Sequence, residues 1–278
     1  MGNTMSEYFV INKLVREAAF KMDSTHSHEC YEIIYLLSGE CNILLNHSIY
    51  KMTPGKLVII PPGEIHKSAY ENNSKVKQER SIVRFSIKDI DWICDALGSE
   101  TVLSNLTDDI VTIPEKRRDY IESIITRIIY ETQMPDEFSA GMVKTLFQEF
   151  ILFLIRCKKY GESAVQELDA ENSTIQEVAT YIYRNFDKPI YLDDVAKKFN
   201  ISRSYLSKKF KTTTGFGFKE YLLNVRIKEA CRLLLETNKS ITEIAFECGF
   251  NDSNYFGDAF RRIKGISPNK YRRNREVV

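Results

Sequence analysis

The chain has no cysteines spaced as Cys-x-x-Cys, no apolar run of membrane-spanning length and almost no net charge, +1 over 278 residues. The first absence argues against a zinc knuckle or redox pair, so Cys30, Cys41, Cys94, Cys157, Cys231 and Cys248 read as reduced core residues. The second argues against a transmembrane helix, which needs about 20 apolar residues, and against a membrane partner. The opening residues lack the charged, apolar and small-residue regions of a signal peptide, which makes the cytoplasm the expected location. Histidine is also scarce, and three of the four (His26, His28 and His66) fall in one stretch of the N-terminal half. What is present is length enough for two domains, each with its own core.

The near-zero charge averages two unlike parts. Residues 174–278 hold 20 Lys/Arg against 12 Asp/Glu, a net +8, whereas residues 1–173 hold 19 against 26, a net −7. A basic end on a neutral chain suits contact with phosphates, which supply most of the non-specific affinity for nucleic acid.

That basic end carries one pattern twice. Leu192, Val195, Ala196 and Phe199 recur at i, i+3, i+4 and i+7, as do Ile241, Ile244, Ala245 and Cys248 49 residues later. Asn200 and Gly249 tolerate the left-handed backbone that ends a helix in a tight turn. Ser202 and Asp252 can then cap a second helix, and Ser240 with Glu243 forms an S-x-x-E cap for the first helix of the second copy. In the second helices, Tyr205, Leu206 and Phe210, matched by Tyr255, Phe256 and Phe260, are expected to pack inward. Arg203, Ser204, Ser207, Lys208 and Lys211 are left outward in one copy, and Ser253, Asn254, Gly257, Asp258 and Arg261 in the other. Such residues can bond base edges or phosphates. The bland alternative, an ordinary helical hairpin with a solvated face, loses ground when the pattern recurs on a basic segment.

Ile244-Ala245, Gly249-Phe250, Tyr255-Phe256, Phe260-Arg261-Arg262, Gly265-Ile266-Ser267-Pro268 and Tyr271-Arg272 together resemble the signature of the AraC/XylS family of transcription regulators. Residues 221–234, with Arg226 and Ala230-x-x-Leu233-Leu234, resemble that family's connecting helix. The resemblance covers 174–275 and implies two recognition helices entering successive major grooves about 34 Å apart. It places Arg203, Ser204, Ser207 and Lys208, then Ser253, Asn254, Gly257 and Asp258, against the bases. Gly257 offers no side chain and Asp258 repels phosphate, so base reading is expected to weigh on the first copy. Arg261, Arg262, Lys270, Arg272 and Arg273 suit phosphates.

The N-terminal part reads as short β runs at Tyr8–Ile11, Tyr31–Leu37, Cys41–Leu45, Leu57–Ile60 and Ser81–Ser86, separated by turn residues, suggesting a sandwich or small barrel. His26, His28, Glu32 and Gly39, then Gly55, Pro61, Gly63, His66 and Tyr70, resemble the paired motifs of the cupin superfamily, with Tyr70 in place of the last Asn. His26, His28 and Glu32 share strand parity. With His66 from a facing strand they could hold a divalent transition metal. They could equally line a metal-free effector pocket, joined by Tyr31 and Tyr35, or be a structural remnant.

Between these parts, Ile121, Ile124, Ile125, Ile128 and Ile129 mark one helix, opened near Pro114 and closed near Pro135. A second is expected from Ser139 to Tyr160, and its apolar Phe150–Ile155 must be buried under the β domain or in a dimer contact. Gly161–Asn172 reads as a linker, and Thr174–Glu177 as a capping box opening the last domain.

The expected fold is thus α+β and multidomain. A cupin-like sensing barrel over 1–110 precedes a helical dimerisation and coupling segment over 111–160 and a linker over 161–173. An all-α domain with two helix-turn-helix units joined by a linker helix follows over 174–278. The expected function is a sequence-specific transcription regulator, not an enzyme, that senses a sugar or other small metabolite. Its partners are double-stranded DNA, the effector, a second copy and, for an activator, RNA polymerase. The arm at residues 1–20 is a candidate moving part. The alternatives are a metal-dependent cupin enzyme fused to a DNA-binding domain, or a regulator without ligand.

Overall fold

The structure, a computed structural model, describes residues 5–16, 29–45, 48–69, 77–107, 109–160 and 170–273. Two compact units emerge, one of Met1–Asn46 and Tyr50–Glu167, the other of His47–Ile49 and Leu168–Val278.

The first unit is built from β1 (Val10–Arg16), β2 (Tyr31–Ser38), β3 (Cys41–Leu45), β4 (Ser48–Met52), β5 (Lys56–Ile60), β6 (His66–Ala69), β7 (Gln78–Phe85) and β8 (Asp109–Thr112). One sheet runs in the order β1-β7-β2-β5-β8 and a second in the order β4-β3-β6. β7 pairs antiparallel with β1 and β2, β5 with β2 and β8, and β3 with β6. The register fixes which side chains share a face: Glu32 lies opposite Arg84, Ile34 opposite Ile82, and Leu36 opposite Arg80. Because strand side chains alternate, β2 serves two cores. Its Ile34 and Leu36 join Ile43, Leu45, Met52, Val58 and Ile60 between the two sheets. Its Ile33 and Tyr35 face the other way, into a core shared with helices.

Those helices are α1 (Asp91–Leu97), α2 (Ser99–Asn105), α3 (Arg118–Gln133) and α4 (Ser139–Tyr160). The isoleucine stripe of α3 buries Ile121, Ile124, Ile125 and Ile128. From α4, Phe147, Phe150, Ile151, Phe153, Leu154 and Ile155 enter the same core as Ile33, Tyr35 and Phe85. The apolar run of α4 is therefore buried under the large sheet, with Leu152 left outward. Among the arm residues, Ser6 donates its backbone N–H and hydroxyl to Asp89, both at 2.6 Å. Phe9 packs edge-on to Phe147. Arm residues 1–4 and 17–20 lie outside the described residues.

The second unit contains α5 (Ala170–Arg184), α6 (Leu192–Lys198), α7 (Arg203–Thr214), α8 (Phe218–Glu236), α9 (Ile241–Glu247), α10 (Ser253–Lys264) and α11 (Pro268–Arg273). The Thr174 capping box is corrected here: α5 begins at Ala170, so Thr174 lies inside the helix. Of the expected linker, 161–169 lie outside the described residues and 170–173 belong to α5. The side chain of Asn172 accepts from Thr213 Oγ1 at 3.2 Å, tying the start of α5 to α7.

The two α-turn-α units close identically. Asn200 (φ 54) and Gly249 (φ 78) adopt the left-handed conformation. The following N–H groups, of Ile201 and Phe250, donate to Ala196 and Ala245 carbonyls, each at 3.0 Å. These are the bonds of a Schellman C-cap, made twice. Ser202 caps α7 through Tyr205 N–H at 3.1 Å. Asp252 caps α10 through Asn254 and Tyr255 N–H groups. Ser240 and Glu243 exchange the two bonds of a capping box, 3.1 and 2.7 Å. All six cysteines are free and buried.

Asn200 is the one non-glycine residue with positive φ among the described residues. Asn200→Gly is expected to stay within about 0.5 kcal/mol of the parent, and Asn200→Val to lose about 1–2 kcal/mol through left-handed strain. Urea unfolding measures both.

Candidate functional site

The outward faces of α7 and α10 follow from the cores beneath them. Leu206 and Phe210 are buried on α7, and Phe256, Ala259 and Phe260 on α10. Arg203, Ser204, Ser207, Lys208 and Lys211 are all exposed on α7, and Asn254, Asp258, Arg261 and Arg262 on α10. Ser253 and Gly257 are half-buried. Tyr205 and Tyr255 depart from the expectation that they pack inward: they are 38% and 56% exposed. Each sits in the first turn of its helix, where helix-turn-helix proteins meet base edges, so the outward face is larger and more aromatic than the spacing alone implied. Only Leu206 or Phe256 can point straight at the core from that turn; the tyrosine before it is rotated to the rim.

Local charges adjust the two faces. Arg203 lies 3.3 Å from Asp193 of α6, an exposed pair that orients the guanidinium at little energetic gain. On α10, Asp258 stands 3.9 Å from Arg261 one turn on. The first face thus offers three cations, Arg203, Lys208 and Lys211. The second sets its acid beside its base.

The two helix-turn-helix units share α8. Phe218 and Tyr221 pack on Phe210 with ring centroids 6.0 and 5.4 Å apart. Ile227, Ala230, Cys231, Leu233 and Leu234 enter the core of the second unit with Ile244, Ala245, Phe256 and Phe260. Between these two sets lies Arg226, whose Nε donates to the carbonyl of Phe186 at 2.8 Å and whose Nη2 donates to that of Lys188 at 2.9 Å.

In the β unit, Glu32 and His66 do come together. Both are buried, and His66 Nε2 lies 2.9 Å from Glu32 Oε2. His66 Nδ1 is 3.1 Å from the carbonyl oxygen of Glu64. The other carboxylate oxygen accepts from Arg84 Nε at 2.9 Å and Nη2 at 2.8 Å. Arg80, four residues from Arg84 on the same face of β7, is fully buried and donates to Ser68 Oγ at 3.1 Å. Burial pushes the Cys41 thiol up to about 11, against the opposing pull of Arg80 and Arg16.

Tyr31 and Tyr35 do not join this set, because their odd parity turns them to the helical side of the sheet. Tyr31 stacks on Phe85 at 5.1 Å. The Tyr35 hydroxyl donates to Glu122 of α3 at 2.9 Å. Burial, then the Glu122 bond, raises the Tyr35 phenol above its ordinary range. His26, His28 and Tyr70 lie outside the described residues. Among the described residues no three His, Cys, Asp or Glu side chains gather as a cation site. Glu32 shares its oxygens between a guanidinium and an imidazole. Arg80, Arg84 and Ser68 went unnoticed in the sequence, since a charged residue within a strand is ordinarily assigned to solvent.

Comparison with known proteins finds a match in each half of the chain. Residues 14–127 match the AraC-like ligand binding domain, and residues 195–274 match a helix-turn-helix domain. The chain is 23% identical over 247 residues to the HTH-type transcriptional activator RhaR of Mannheimia succiniciproducens, covering 89% of this chain and 86% of that one. It is 38% identical over 116 residues to the Msm operon regulatory protein of Streptococcus mutans, covering 40% of this chain and 42% of that one. Among solved structures, the C-terminal domain of AraT, a response regulator from Geobacillus stearothermophilus, is 36% identical. It covers 36% of this chain and 84% of that one, at a TM-score of 0.36. With a ligand-binding domain ahead of paired helix-turn-helix units, the chain belongs to the AraC family of DNA-binding transcription regulators.

Proposed function

We propose that α7 and α10 read adjacent major grooves of one duplex, with base recognition weighted to α7, and that a small polar effector controls this binding. The observation that carries the DNA reading is the pair of outward faces, each held by a capped helix that follows a left-handed turn at Asn200 or Gly249. Arg203, Ser204, Ser207 and Lys208 face the bases, with Lys211 beside them. On α10, Ser253, Asn254, Gly257 and Asp258 occupy the matching positions, and Arg261 and Arg262 suit phosphates. Arg203→Ala or Lys208→Ala should each cost about 1–3 kcal/mol on a duplex selected from random sequence, with altered base preference at one position. Fluorescence anisotropy on wild-type and singly substituted sites checks this. An unchanged affinity and preference would remove α7 from the base-reading role.

The effector site belongs between the two sheets at Glu32, His66 and Arg84. A carboxylate, an imidazole and a guanidinium supply the donors and acceptors that the hydroxyls of a sugar or similar metabolite require. The helix-turn-helix domain carried by the same chain favours a sensor over a cupin enzyme. In a thermal-shift screen of the full chain with sugars, a binder at a hundred times its Kd stabilises by about 2.7 kcal/mol. Glu32→Gln should abolish that shift, while Tyr35→Phe, on the opposite face, should retain it. Equal shifts in wild type and Glu32→Gln would refute the placement, and turnover of a panel member would make the unit an enzyme.

The segment 111–160 serves dimerisation and coupling in this reading. Tyr130, Met134, Phe138 and Met142 expose apolar surface around the α3–α4 connection, and a second copy is the partner we assign to them. The double variant Met134→Lys/Phe138→Lys should sediment as a monomer where the parent sediments as a dimer. Such a regulator works in the cytoplasm, beside the chromosome; none of the described helices is long and apolar enough to cross a membrane. If it activates, RNA polymerase is its further partner.

A further inference from the structure

We infer that Arg226 is the residue that sets which half-site spacing this chain accepts. Its guanidinium stands where the two helix-turn-helix units meet. One edge donates to the carbonyls of Phe186 and Lys188, in the segment between α5 and α6 of the first unit. Its carbon lies 5.7 Å from the ring centroid of Phe250, in the turn between α9 and α10 of the second. That ring is itself buried, and it packs on Phe256 at 5.0 Å and Tyr255 at 6.1 Å, both in the first turn of α10. The arginine therefore touches the backbone that leads into one unit and, through a single ring, the start of the second recognition helix.

A second contact shows how close the approach is. A Cβ on Gly249 would fall 2.6 Å from the Phe186 carbonyl oxygen and 2.8 Å from that of Asp187. Two turns thus meet backbone to backbone, and the two donors of Arg226 bind the same short segment. Arginine alone combines a fixed fork of donors with a flat face for the ring. Lysine has the charge without the fork.

Adding one base pair between half-sites displaces them by about 3.4 Å and turns one roughly 35° about the axis. A clamped pair of units cannot follow that rotation, whereas a pair joined by α8 alone can flex at its midpoint. The inference rests on both recognition helices meeting DNA, and the experiment separates the two ideas. Full-length wild type, Arg226→Met and Arg226→Lys are titrated against a duplex selected from random sequence, then against duplexes with one or two base pairs added or removed between half-sites. Wild type should lose about tenfold or more per step of misspacing. Arg226→Met should bind the selected duplex several-fold more weakly and lose less than about threefold per step, with Arg226→Lys in between. A wild-type penalty retained in full by both variants overturns the role of Arg226. No penalty in wild type instead overturns the two-groove reading itself. Should Arg226→Met fail to show the parent's helical circular dichroism, Arg226→Lys carries the comparison on the same criteria.

Discussion

The DNA-binding unit depends on one helix having its two ends buried in two different cores. A helix of the length of α8 spans about 28 Å, close to one turn of the double helix, and cannot shorten without breaking backbone bonds. Its first half gives Phe218 and Tyr221 to the aromatic cluster around Phe210. Its second half gives Ala230, Leu233 and Leu234 to the core beneath α10. Each recognition helix is thereby seated on apolar packing at a fixed place along α8. The exposed pairs of Arg232 with Glu229 and Glu236 add little by comparison. Between these two seats, near the middle of α8, Arg226 and the Gly249 turn both approach the Phe186–Lys188 segment.

In the β unit the corresponding constraint is strand parity. A period of two divides β2 between two tasks: Tyr35 links the large sheet to α3, and Glu32 links it to His66 on the small sheet. A buried polar pair contributes little net stability over apolar packing of the same volume, while losing one partner is costly. It stands between two sheets otherwise filled by Ile, Leu, Met and Val. The same alternation keeps the Glu32 face separate from the helical core, so a change at Glu32 need not disturb the packing of α3 and α4.

Much of this was legible before any coordinates, and for identifiable reasons. The repeated i, i+3, i+4, i+7 pattern, the residues at Asn200 and Gly249, and the Ser240–Glu243 cap are local features, decided within a few residues of chain. So are the stripe of α3 and the bounds of α4. Short strands were less visible: β4, β6 and β8 are four or five residues long, and β6 reads His-Lys-Ser-Ala, with no apolar alternation to betray it. Tyr205 and Tyr255 were assigned inward because aromatic residues usually are, yet the first turn of each helix overhangs the core edge.

By itself, then, the sequence determined the helix-turn-helix repeat, its caps and its basic charge, because periodicity, capping and charge are properties of neighbouring residues. Only the tertiary structure decided that Glu32 meets His66 and Arg84 while Tyr31 and Tyr35 turn away. It also decided that Arg226 finds the carbonyls of Phe186 and Lys188, some 40 positions up the chain. Those partnerships depend on register between strands and on the approach of two turns. No local pattern encodes either, since each is settled by how separate elements pack.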